Sequence, residues 1–454
     1  MSTQNSAPTA LGKADIKKLL LEYSIPAIIG MMAMSLYNII DSIFIGHGVG
    51  ALAISGLAVA FPLMNLAAAF GTLVGIGGAT LVSIKLGQQD YKGASNVLGN
   101  VVVLNATIGI LFSIAGLIFI DEILFFFGAS DQTIGYTRDF MEIILCGNVI
   151  THLYFGLNNV MRSSGYPRKA MVTTLLAVFV NIILAPIFIF WFEWGMRGAA
   201  VATVLAQLIA LLWVVAHFTQ KRSFIHFQPG IFRLKKQIMK EIFSIGLSPF
   251  ILNACACFVI ILINRSLFQH GGDLAIGAYG IINRLVMLTV MIVLGFTQGM
   301  QPIAGYNFGA KQHDRVIQVL KLTIIYVISV TTFAFIVGQA FPRQLAMMFT
   351  KEEKLIELSV NGMRIVMAAF PVIGFQMVIS NFFQSIGRAW QAIFISTTRQ
   401  IIFLIPLLLI LPTYWGTEGV WVSMPVSDAA SALTAGILLY FEFRKIKKNS
   451  FASL

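Results

Sequence analysis

The sequence predicts an all-α polytopic membrane protein. It should fold as 12 transmembrane helices in two pseudo-symmetric six-helix bundles. Three observations predict this. Hydrophobic residues make up 57% of the 454 residues and charged residues only 11%, where a soluble domain carries about 25%. Apolar segments recur from end to end, each able to cross a hydrocarbon core of about 30 Å. The chain also repeats itself. Slid along itself until Gly50 meets Gly272, it brings Leu52, Ala53 and Ile54 onto Leu274, Ala275 and Ile276. At the same offset Gly77 falls on Gly299, Gly87 on Gly309, and Asn159, Ser163 and Gly165 on Asn381, Ser385 and Gly387. Only 10 of 49 positions agree between Gly50 and Leu98, so the duplication is old. Two like halves in a membrane are common among carriers.

The helices are expected near 24–46, 53–82, 97–120, 136–161, 170–192 and 198–218 in the first half. In the second half they fall near 243–268, 274–303, 316–340, 358–386, 392–412 and 419–443. These runs are too long and continuous for barrel strands, which need about ten alternating residues. Six helices per half preserve direction, so the repeat is parallel, about an axis along the membrane normal. The lobes are 1–220 and 243–454, joined by a linker at 221–242. Pro229 and Gly230 interrupt that linker and basic residues crowd it. A surface linker is expected there, with a short amphipathic helix in 231–242 as the other reading.

Orientation follows from Lys and Arg. The N-terminus, the linker, the tail and alternate loops carry 23 of them, including Lys85, Arg162, Arg222, Lys236, Arg388, Arg399, Arg444, Lys445, Lys447 and Lys448. The other side carries six, Arg138, Arg197, Arg265, Arg343, Lys351 and Lys354. Both termini are therefore expected in the cytoplasm. The net charge of +12 is mostly this bias. It points to contact with anionic lipid headgroups rather than nucleic acid. Residues 1–23 show no cleavable signal pattern. Cys146, Cys255 and Cys257 lie in apolar segments without metal or disulfide spacing, and read as packing residues.

Ionisable residues within apolar helices are the functional candidates, since a mid-membrane charge costs about 2.5–3.5 kcal/mol on insertion scales. Asp41 lies in the first helix, with Tyr37, Asn38 and Ser42 beside it at helical spacing. Pro26 can bend that helix. Asp428, in the last helix, fits a helix–helix pairing role as well as substrate contact. Glu142 reads as a vestibule residue. His152 is the one histidine deep enough to invite a role. Arg284, well inside the eighth helix, can bind an anion, pair with a carboxylate or snorkel. Asn181 and Thr203 add oxygen ligands for a cation or waters. Each is also an ordinary helix-packing residue.

The first helix reads IPAIIG and YNIIDSIFIG, the segment GIGGATLVSIKLGQQD has its twin in QGMQPIAGYNFGAKQ, and MRSSGYPRKA, VNIILAPIFIF and WGMRGAAVAT follow in the first half. Together these segments, over about 15–445, resemble the multidrug and toxic compound extrusion (MATE) transporters, in their prokaryotic, DinF-like branch. It implies a V-shaped pair of bundles that alternates between facing in and out. It also implies export of cationic or amphipathic drugs against inward H⁺ or Na⁺. By position, Asp41 matches the family's first-helix carboxylate, and Asn181 and Thr203 its polar partners. The family usually reads Asn-x-x-Leu-Asp-Pro in the fifth helix, whereas this chain has Ala185 before Pro186. The second carboxylate is missing, which favours H⁺ over Na⁺. Asn264 stands in the second half where the repeat places Asp41, so cation chemistry belongs to the first lobe.

The expected protein is thus a monomeric carrier in a prokaryotic inner membrane. It should bind small-molecule drugs and lipids, with no cofactor beyond its coupling ion. The alternative within the superfamily is a lipid or lipid-linked oligosaccharide flippase, which a cavity rich in cationic residues would favour. An enzyme would need a nucleophile, a metal cluster or a phosphate-binding loop, and the sequence shows none of these patterns.

Overall fold

The computed structural model describes residues 7–221 and 223–451. Arg222 lies outside the described residues, as do the side chains of Cys257, Arg444, Lys445, Lys447 and Lys448. Among the described residues, twelve long helices carry the fold. In the first half they are α1 (Ile16–Gly48), α2 (Ala51–Gly87), α3 (Tyr91–Ile118), α4 (Ile134–Ser163), α5 (Pro167–Trp191) and α6 (Gly195–Thr219). The second half holds α7 (Lys236–Gly272), α8 (Leu274–Gly309), α9 (His313–Ala340) and α10 (Glu353–Ser385). A last stretch, Ala389–Glu442, is broken at Gly416 (φ 57°) into α11 (389–415) and α12 (417–442). At 1.5 Å per residue that 54-residue stretch is far longer than one membrane crossing, so the break makes two passes.

Outward faces are apolar, with Leu111, Ile118, Phe179 and Leu433 all exposed. Polar groups such as Asn105, Asn148, Asn158, Asn181 and His152 are buried instead, the distribution expected of a chain whose solvent is lipid. In the first half α4 is central, packing on α2, α3, α5 and α6. In the second half α10 packs likewise on α9, α11 and α12.

Local chemistry explains which residues survived the duplication. Gly50 and Gly272 both take positive φ, 117° and 64°, which only glycine adopts cheaply; they separate α1 from α2 and α7 from α8. Gly77 and Gly299 serve close approach. A Cβ on Gly77 would run into the Ile242 carbonyl of α7, and one on Gly299 into Ser24 of α1. Asn159 Nδ2 donates to the Phe155 carbonyl at 2.9 Å, and Asn381 Nδ2 to the Met377 carbonyl at 2.9 Å, the same bond once in each half.

Contacts group the chain into two compact units that cut across the sequence halves. One takes the chain up to Ala14, Ile29–Asn253 and Gly305–Lys311; the other takes Asp15–Ile28, Ala254–Ala304 and the chain from Gln312. The start of α1 thus belongs with the second unit and the start of α7 with the first.

Several elements differ from expectation. Short helices at Ala7–Lys13, Ile120–Phe126 and Pro342–Met347 fall outside the apolar runs, because fewer than two turns give no periodic signal. Residues 231–235 are not helical, and the helix begins at Lys236. Asn100 of α3 clamps the end of the linker. Its Nδ2 donates to the Arg233 carbonyl at 3.2 Å, and its Oδ1 accepts from the Lys235 N–H at 3.0 Å. Arg399 is not in a basic loop but within α11, half-buried.

Candidate functional site

The site grows from three helices of the first unit. Tyr37 and Asp41 lie one turn apart on α1, which places them on one face. Asn181 comes from α5 and Thr203 from α6. Thr203 Oγ1 donates to the Ala199 carbonyl one turn back at 3.1 Å. Its oxygen accepts from Asn181 Nδ2 at 3.0 Å and from the Tyr37 hydroxyl at 3.0 Å. A hydroxyl has one donor and two acceptor positions, so Thr203 is fully used. Asn181 Nδ2 also lies 3.5 Å from the Tyr37 oxygen.

Asp41 is 7% exposed, and its Oδ1 is buried with no hydrogen-bond partner among the described residues. One turn further along the two helices the surroundings turn apolar. Ala185, 0% exposed, sits in a hydrophobic cluster with Ile45 and Ile189. The polar layer is therefore a single turn deep on that side.

Beside the layer lies a cavity of about 40 Å³, lined by Met34, Tyr37, Tyr154, Asn181, Thr203 and Gln207 among others. At about 10–15 Å³ per water centre, it has room for about three or four waters. Gln207 and Thr151 share a short hydrogen bond at its edge, and Asn158 Nδ2 donates to Thr174 Oγ1 at 3.1 Å. No Lys or Arg is among the lining residues.

Other candidates lie elsewhere. Asn38 is exposed, its backbone carbonyl accepting from Ser42 Oγ at 2.8 Å, so the polar stripe of α1 narrows inward to Tyr37 and Asp41. His152 is 1% exposed, with Nε2 3.0 Å from the Ala67 carbonyl and Nδ1 without a partner among the described residues; it ties α4 to α2. Glu142 is half-buried. In the second unit, Asp428 accepts from Arg399 Nε at 2.6 Å, with side chains 5% and 25% exposed. Arg284 is exposed, its guanidinium 5.9 Å from the Phe349 ring centre. Sequence reading does not single out Gln207, Tyr154 or Asn158. Gln207 was within reach, being one turn from Thr203 on the same face of α6. Arg399 lies near a basic loop in sequence, and its partner Asp428 stands on another helix, so no local pattern marks the pair.

Comparison with known proteins fits this architecture. The MatE family model matches residues 26–187 and again 249–410, two matches of equal length, one in each half. The multidrug export protein MepA of Staphylococcus aureus (strain N315) is 27% identical over 428 residues, covering 94% of each chain. The protein of that name from Staphylococcus haemolyticus (strain JCSC1435) is also 27% identical over 428 residues, with 94% of each covered. The solved, ligand-bound structure of the MATE multidrug transporter DinF-BH is 36% identical, with 93% of this chain and 95% of that one covered and a TM-score of 0.87. A MATE in the bent conformation gives a TM-score of 0.93 at 23% identity, covering 99% of this chain and 100% of that one, which bears on the fold. Matched in both of its halves and across most of its length, this chain belongs to the MatE family, multi-pass membrane transporters of the multidrug and toxic compound extrusion type.

Proposed function

We propose that this transporter exports amphipathic, cationic compounds by alternating access in exchange for inward-moving H⁺. The observation that carries the reading is Asp41, a buried carboxyl with one oxygen unpartnered among the described residues, one helical turn from Tyr37, which is itself hydrogen-bonded to Thr203. In the proposed cycle a proton from the outer side neutralises that carboxylate. The cation that the carboxylate had held then loses its counter-charge and leaves outward. Deprotonation toward the cytoplasm restores the carboxylate for the next cation. H⁺ is favoured over Na⁺ because a hard cation needs several oxygen ligands. Thr203 has none to spare, and Ala185 supplies a methyl group in an apolar cluster. The absence of Lys and Arg from the cavity lining speaks against anionic headgroups as cargo. We further propose that the chain works as a monomer in a prokaryotic inner membrane with both termini in the cytoplasm.

Proteoliposomes with separately imposed H⁺ and Na⁺ gradients test this. Export of a fluorescent cationic dye is expected to follow the H⁺ gradient, and Asp41→Asn should abolish uphill export while leaving the detergent melting curve unchanged. Export that follows Na⁺ and ignores pH, or an Asp41→Asn protein exporting at the unmodified rate, overturns the assignment.

A further inference from the structure

Where α3 ends, the first unit has a recess of drug size. At Phe119 the backbone leaves helical values (φ −107°, ψ 27°), and the short helix Ile120–Phe126 turns off from α3. One turn earlier Gly116 lets α3 close on α4, since a Cβ there would lie 2.8 Å from the Leu145 side chain. Between the short helix, α3 and α2 this geometry leaves about 430 Å³, lined by Leu63, Phe112, Phe119, Glu122, Phe126 and Phe127 among others. Small-molecule pockets run to about 300–1,000 Å³. Phe119 and Phe126 are 55% and 79% exposed, so the rim lies on the outward apolar surface. None of Tyr37, Asp41, Asn181 and Thr203 lines the recess.

Its lining is apolar but for one ionisable residue, Glu122. Glu122 makes no hydrogen bond or ion pair among the described residues, whereas Asp121 beside it is held by Arg138. The turn itself does not need the charge. At the repeat's offset Gly116 and Phe119 become Gly338 and Phe341, and Glu122 becomes Gln344. There the same break recurs at Phe341 (φ −125°, ψ 35°), ahead of the short helix Pro342–Met347. We propose that the recess is a second binding site for an amphipathic cation, reached from the lipid and separate from the Asp41 layer. The phenyl rings take the apolar groups of the ligand, and their faces attract its charge. Glu122 supplies the counter-charge. A lipid acyl chain would fill the same aromatic space but leave Glu122 without a partner, and an anionic headgroup would be repelled by it. The choice of ligand rests on the proposed cargo being an amphipathic cation.

Photolabelling of the full chain in phosphatidylcholine vesicles reads this directly. The probe is a triphenylphosphonium bearing a benzophenone on an alkyl arm, and its neutral control carries triphenylmethyl in place of the phosphonium. Labelling is mapped by mass spectrometry and normalised to the lipid-facing stretch of α9 that holds Ile325, Phe333 and Ile336. The cation should label 112–127 roughly fivefold more than the neutral probe, the factor a well-placed exposed ion pair supplies. Glu122→Gln, which writes in the residue of the second half, should remove that excess and leave neutral labelling as it was. Ala115→Phe, at an exposed lining position, should fill the recess and suppress both. Equal labelling by the two probes, or a cation excess that survives Glu122→Gln, overturns the proposal in favour of an acyl-chain groove. Cation labelling confined to other segments overturns it as well. If Glu122→Gln does not fold, undiminished cation labelling of folded Ala115→Phe overturns it instead. The readout does not depend on transport. Labelling at 112–127 without H⁺-driven export would sink the proposed exchange and leave the recess standing, and export without that labelling would do the reverse.

Discussion

Thr203 illustrates how a single hydroxyl can fix three helices. With its proton on Ala199 and its lone pairs taken by Tyr37 and Asn181, it ties α1, α5 and α6 together, and each such bond contributes about 1 kcal/mol net. The ion pairs at the ends of the helices work differently. Asp121, in the short helix after α3, accepts from Arg138 Nε at 2.8 Å. That guanidinium holds the Asp121 carboxyl below the usual carboxylate range. A depressed value means that the pair's stabilisation is present above the free carboxylate value of about 3.9. It is lost only as pH falls through the lower, folded value. Between about pH 5.5 and 8 the pair therefore stays ionised, well above that free value. Asp121→Asn is expected to leave the pH midpoint of export unchanged; a midpoint that moves with this substitution would assign proton sensing to the wrong carboxyl. At this scale the sequence showed which residues are expensive to bury, and Asp41 stood out for that reason. It did not show pairing. Arg399 and Asp428 lie on different helices, and nothing local marks them as partners. Spacing alone makes Asn38 equivalent to Tyr37, because it does not show which side of α1 faces its neighbours.

Helices were legible because each is an apolar run of membrane length, and their order followed from counting. Their ends were less so. α2 extends to Gly87 and α8 to Gly309, well past the apolar cores, because both ends pack on other helices rather than meeting water. Gly87 and Gly309 lie against Tyr306 and Ile84 of the opposite helix. The crossing of α2 with α7 depends on the same economy of side chain. Gly77→Val would place a branched side chain against the Ile242 carbonyl, and overpacking of this kind typically costs about 1–3 kcal/mol. A melting temperature in detergent lowered by several degrees is expected, and an unchanged one would show that the crossing has slack. Gly280, where an added Cβ would meet open space, is the control: Gly280→Ala should not lower the melting temperature, since Ala favours the helix over Gly. The π-turns at Ile187–Trp191 and Thr398–Leu404 left no trace in the apolar pattern, since one extra residue per turn barely disturbs it.

For the molecule as a whole, charge asymmetry is the main handle on orientation. Three of the six basic residues assigned to the outer side are already matched: Arg138 with Asp121, Arg197 with Asp139 and Arg343 with Glu353. Orientation follows the count of Lys and Arg rather than net charge, so the expectation rests on 23 against six. A cysteine introduced at Gln228 in the linker, in a background lacking Cys146, Cys255 and Cys257, should react with a membrane-impermeant maleimide only after the cells are opened. Labelling in intact cells would invert the topology. The make-up of the two units has a further consequence. Since Asp15–Ile28 belongs with one and the stretch up to Asn253 with the other, neither sequence half contains all of its own unit. A gene cut after residue 220 would yield two fragments, each missing a helical turn or more that its partner carries. Such fragments should be insoluble or degraded alone and recover function when co-expressed. An unduplicated ancestor would have met the same need by lending that segment to a second copy of itself, a segment-exchanged dimer that fusion later made permanent.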